Sequence, residues 1–142
     1  MERRQCEQVI ARGARVVLTA VFAYAGIAKA IDPATFASQL SGYRLLPGAL
    51  LTPVAYLLPM LEIACVTGLW IRSARPVAAI LLAGLLAVFI AALLIAWARG
   101  LDITCGCFGT DEPGIDYPLT LLRNIALLAL AIACAALPRQ QK

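Results

Sequence analysis

Residues 77–98 read VAAILLAGLLAVFIAALLIAWA, 22 consecutive residues without a charge. At 1.5 Å per residue, a helix of that length rises about 33 Å, enough to cross a hydrocarbon layer of about 30 Å. Ala83, Ala87 and Ala91 recur at the four-residue spacing that lets membrane helices approach closely, so this stripe is expected on a packed face. Composition agrees: of 142 residues, 62% are hydrophobic and 14% charged, with a mean hydropathy of +0.86. A soluble domain of this size does not carry so much apolar surface.

Working outward, Arg72 to Arg75 forms a basic turn, preceded by a second apolar run over residues 48–71 that contains Glu62, Pro53 and Pro59. Downstream, a polar loop over residues 99–118 leads to a run at 119–137 that contains Arg123 and Asn124. Upstream, residues 16–31 form another span ending near Lys29, and residues 1–15, with Arg3, Arg4, Arg12 and Arg15, read as a basic lead-in outside it. Ala28-Lys29-Ala30 resembles a signal-cleavage site, but a retained anchor is the expectation. Asp32-Pro33 is an N-cap followed by proline at the first helical position, and Phe36, Leu40 and Tyr43 follow at helical spacing. This short amphipathic helix is expected at the interface, against the mouth of the bundle. The reading is thus an all-α integral membrane protein: one domain over residues 1–142, an antiparallel four-helix bundle with a short interfacial helix between spans 1 and 2.

Four spans place both termini on one side. Arg3, Arg4, Arg12, Arg15, Arg72, Arg75, Arg139 and Lys142 share it, against Lys29, Arg44, Arg99 and Arg123 opposite, eight against four. Positive charge is retained on the cytoplasmic side, so the 99–118 loop is expected to face the periplasm or cell exterior of an inner-membrane protein. Trp70, Trp97 and Tyr117 lie at span ends, as in aromatic belts. The net charge of +4 is dispersed between apolar runs, which argues for membrane topology and lipid contact and against a nucleic-acid partner.

That loop carries Thr104-Cys105-Gly106-Cys107-Phe108-Gly109. Disulfides persist on the outer side of the membrane. A Cys-x-Cys bridge closes a very small ring, and Gly106 accepts backbone angles a side chain resists. Strained, exposed bridges are the more oxidising and exchangeable kind, so the chemistry indicated is thiol-disulfide exchange by Cys105 and Cys107, with Phe108 and Gly109 shaping the loop. Other readings stand beside it. A zinc site needs about four ligands, which one cysteine pair in a chain without histidine does not supply. A thiolate pair also suits a soft ion such as Cu(I) or Hg(II), and a staple that merely closes the loop needs no reactivity. Cys65 and Cys134 fall in the inner half of their spans at similar depth, on the order of 20 Å from the loop, and Cys6 lies on the reducing side. No second pair is evident to relay electrons.

Ionisable residues within hydrocarbon are costly and take a partner or face a cavity. Glu62 is expected to bridge toward Lys29 or Arg123 as a purely structural pair; the sharper alternative places this cluster beneath the loop, where a nearby cation would lower the pKa of Cys105 or Cys107.

The ordered set of motifs resembles a known family. Arg15 to Pro47, with Val21-Phe22, Tyr24-Ala25-Gly26-Ile27-Ala28-Lys29, Asp32-Pro33, Phe36, Tyr43 and Leu45-Leu46-Pro47, is similar to the N-terminal part of the MauE branch of the DoxX-like membrane proteins. Pro59, Glu62 and Gly68-Leu69-Trp70 resemble its second helix, Cys105 to Gly109 its third loop, and Leu122-Arg123-Asn124 its fourth helix. The resemblance implies redox maturation of exported proteins. In methylamine-utilisation systems that means disulfide formation in the methylamine dehydrogenase small subunit, beside a periplasmic thioredoxin-like partner. It also implies an architecture similar to the vitamin K epoxide reductase and DsbB-type oxidoreductases, and with it a quinone as a candidate acceptor. Those proteins carry Cys-x-x-Cys, whereas the spacing here is Cys-x-Cys. A membrane anchor that docks a soluble redox partner without catalysing exchange is a further alternative.

Overall fold

A computed structural model describes residues 2–103 and 116–136. The described chain is all helical: α1 (Glu2–Ile31), α2 (Pro33–Gly42), α3 (Gly48–Gly68), α4 (Arg75–Ala98) and α5 (Tyr117–Ala136). All but α2 are long and apolar enough to cross a membrane. Helix α1 packs on α3 and α5, and α4 packs on the same two. The four long helices therefore form a ring in the order α1, α3, α4, α5, with α3 and α5 facing each other across a diagonal.

The ring's interior is a stripe from each helix. Ala14, Leu18, Phe22 and Ala25 of α1 recur at helical spacing and are buried, as are Ala78, Ala79, Leu82 and Leu86 of α4 and Leu127, Ala131 and Cys134 of α5. Many large apolar side chains remain exposed, among them Tyr24, Leu57, Met60, Val88 and Leu122, as expected of a surface whose solvent is lipid. The Ala83, Ala87, Ala91 stripe does not form the packed face: Ala87 and Ala91 are exposed. In a helix uncharged all round, spacing alone leaves the facing side undetermined; the contacts of Leu82 and Leu86 decide it.

Helix α1 is longer than the 16–31 span read from sequence, because the lead-in joins it. Arg, Gln, Glu and Ala are good helix formers, and the single Gly13 does not end the run. Helix α3 stops at Gly68, short of 71. Trp70 and Ile71 donate backbone bonds to Thr67 and Gly68, tightening the chain into a turn, and the Arg75 guanidinium donates to the Leu69 carbonyl at 3.1 Å. Gly68 lets α3 and α4 approach closely there, since a Cβ would stand 3.0 Å from that of Ala78, a tight contact. Helix α2 begins as expected: Asp32 accepts from the Thr35 amide at 3.0 Å and from its hydroxyl at 2.7 Å.

Candidate functional site

The ends of the cysteine loop are fixed by local chemistry. At the end of α4, Gly100 adopts φ +63°, its amide donating to Trp97 and that of Leu101 to Ala96, the paired bonds that close a helix with a left-handed glycine. The Tyr117 hydroxyl donates to the Leu101 carbonyl, and its ring stacks on Trp97 with centroids 5.9 Å apart and planes 9° from parallel. Ile103 is buried with Tyr43, Leu93, Ala96 and Leu121. Chain departure and return are thereby tied to each other and to the end of α2. The loop's chemistry, Cys105, Gly106, Cys107, Phe108 and Gly109, lies outside the described residues.

Inside the ring, three core stripes are each continued by a polar residue. Lys29 follows Ala25 by one turn, Glu62 lies between Pro59 and Cys65, and Asn124 between Leu121 and Leu127. They are 3%, 2% and 5% exposed. Lys29 Nζ donates to Glu62 Oε1 at 2.6 Å. Of the two cations the sequence offers Glu62, it is thus Lys29 that forms the ion pair. Two rings flank that ammonium, Phe36 of α2 at 5.3 Å and Phe89 of α4 at 5.2 Å to their centroids. An unpaired charge here would carry a large desolvation cost, which the pair and its rings offset. Close approach of α1 and α3 makes the contact geometrically available: a Cβ on Gly26 would stand 3.1 Å from Ile63 and 3.4 Å from the Pro59 carbonyl.

Lys29, Glu62, Arg123 and Asn124 line a cavity of about 30 Å³ together with Val21, Phe22, Ala25, Leu86, Phe89 and Leu127. The sequence-predicted polar residues are therefore brought together. Periodicity and charge do not single out Phe36 and Phe89 as partners of Lys29. Phe36, one turn after the helix break, is close enough in sequence to be found, while Phe89 sits in a helix with no polar marker. Cys65 and Cys134 are buried in one apolar cluster, and Cys6 is exposed. Among the described residues no group of three or more His, Cys, Asp or Glu is placed to hold a metal ion.

A ring of four apolar spans with an ion pair and a carboxamide on its axis defines a multi-pass helical membrane protein. Within that class the chain belongs to the MauE family, whose pattern, described as methylamine utilisation protein MauE, matches residues 7–137. Similar relatives are the methylamine utilization proteins MauE of Paracoccus denitrificans, 38% identical over 85% of this chain and 66% of the relative, and of Methylophilus methylotrophus, 33% identical over 97% and 74%. That of Paracoccus versutus is 35% identical over 92% and 71%. The chain thus spans about two thirds to three quarters of these relatives' lengths. No solved structure matches.

Proposed function

We propose that this protein is a membrane thiol-disulfide redox protein of methylamine utilisation, in which Cys105 and Cys107 exchange disulfides with exported proteins. The observation that carries the reading is the juxtaposition of two cysteines, one residue apart, with a loop whose described ends are pinned together at the end of the bundle. Family membership supports the setting, since the relatives are named for methylamine utilisation.

In this account the loop faces the periplasm and both termini the cytoplasm of an inner membrane, following the charge distribution. A client thiolate attacks one sulfur of the 105–107 bridge, forming a mixed disulfide and releasing the other sulfur as thiolate. A second client thiolate then displaces the bound cysteine. The client leaves oxidised by two electrons, and the pair, now reduced, takes up the two protons. A thioredoxin-like partner in its disulfide form accepts those electrons by the same exchange in reverse. Lys29, Glu62, Arg123 and Asn124 support the bundle beneath the loop.

Cys105→Ser and Cys107→Ser variants, expressed singly, test this by trapping. A client or thioredoxin-like partner held by the surviving cysteine, and lost on reduction, is the expected result. Full function in the Cys105→Ser, Cys107→Ser double variant would instead mark the protein as an anchor, and copper or mercury retained through purification would mark it as a soft-metal protein.

A further inference from the structure

Helices α3 and α5 make no close backbone approach, yet each contributes a buried polar residue to the lining of one cavity. Glu62 Oε1 is taken by Lys29, while Oε2 is buried and receives no hydrogen bond from the described residues. Asn124 Nδ2 is likewise buried with no acceptor among them. Both residues line the 30 Å³ cavity. Buried polar groups left unsatisfied are costly, so an acceptor and a donor lining one small space call for an occupant that offers both.

Size and charge narrow the occupant. A water requires about 10–15 Å³ of such space, so about 30 Å³ gives room for two or three. Two cations, Lys29 and Arg123, line the cavity against the single carboxylate, so a third cation, including a small alkylammonium, is repelled. A bare anion has no hydrogen bond to give the second oxygen of Glu62. Water donates to that oxygen and accepts from the Asn124 amide. The remaining walls, Phe22, Leu86 and Leu127 among them, offer no hydrogen bonds of their own.

We propose that this cavity is a hydration site inside the bundle, holding water that links Glu62 Oε2 of α3 to Asn124 Nδ2 of α5. The waters complete the ring across the diagonal that the helices leave open. They also keep the free oxygen of the ion pair solvated within the membrane.

X-ray radiolytic footprinting of the full chain in lipid nanodiscs tests the proposal, because hydroxyl radicals generated from bound water oxidise only the side chains beside it. Oxidation is expected at Phe22, Leu86 and Leu127 despite their burial, and not at Val66 and Leu121, which are buried no more deeply and lie off the cavity. It is expected to be lost in Asn124→Leu, which fills the cavity, and kept in Ile132→Leu, a lipid-exposed control. Labelling of Phe22, Leu86 and Leu127 no greater than that of Val66 and Leu121 in the unaltered protein would overturn it. This readout is independent of cysteine chemistry and does not depend on either variant folding.

Discussion

Lys29 lies two residues from the end of its helix, where a lysine ordinarily extends its ammonium into the headgroup region. Here it turns inward to Glu62 and lies between two phenyl rings. Lys29→Met would leave the carboxylate buried without its cation and should destabilise the bundle by about 3–5 kcal/mol. Pairing it with Glu62→Met should recover most of that loss, as read from unfolding midpoints in detergent. If the double variant is no better than the single, the pair is not what holds these groups. Asp32 is the complementary case at the surface. Bonds from the Thr35 amide and hydroxyl hold its carboxyl below the ordinary aspartate value. Its capping contribution is therefore present above that ordinary value and is lost as pH falls through the lowered one. The Thr35 amide resonance should titrate with a midpoint below that of free aspartate and cease to titrate in Asp32→Asn. A midpoint at or above the free value would contradict the cap.

At the scale of the element, helix contacts depend on a few small residues placed where neighbours come closest. Gly68 packs against Ala78, whereas Gly84, in the middle of α4, faces open space: a Cβ added there would meet nothing within 4 Å. Gly68→Leu should force α3 and α4 apart at a cost of about 1–3 kcal/mol, while Gly84→Leu should leave the midpoint unchanged or raise it. Equal effects would mean that the two helices do not pack through Gly68. The elements themselves are largely legible in the sequence. Apolar length locates all four spans, and Asp32-Pro33 locates the start of α2. Less legible is the extent of α1, because nothing in residues 1–15 except charge separates lead-in from helix. The packed face of α4 is hidden too, since a helix apolar on every side has no polar face to mark the outside.

For the whole molecule, the pattern of charge against hydropathy defines the four-span class, and the positions of Lys29 and Glu62 within apolar runs bring their pairing within reach of sequence alone. Asn124 enters through family likeness, although its place between Leu121 and Leu127 on a core stripe is itself a signal. The roles of Phe89 and of the cavity depend on contacts between helices distant in sequence, which periodicity does not encode. The bundle accounts for how a polar loop is carried by an apolar chain: α4 and α5 are tied at the loop's ends, and the ion pair and its rings join α1, α3 and α4 with α2. The most direct test of the redox account is differential alkylation of intact cells, blocking free thiols with a membrane-impermeant maleimide before and after reduction. Cys105 and Cys107 should resist the reagent at first and become labelled from outside once reduced, whereas labelling of the two sulfurs only after the cells are lysed would contradict the account.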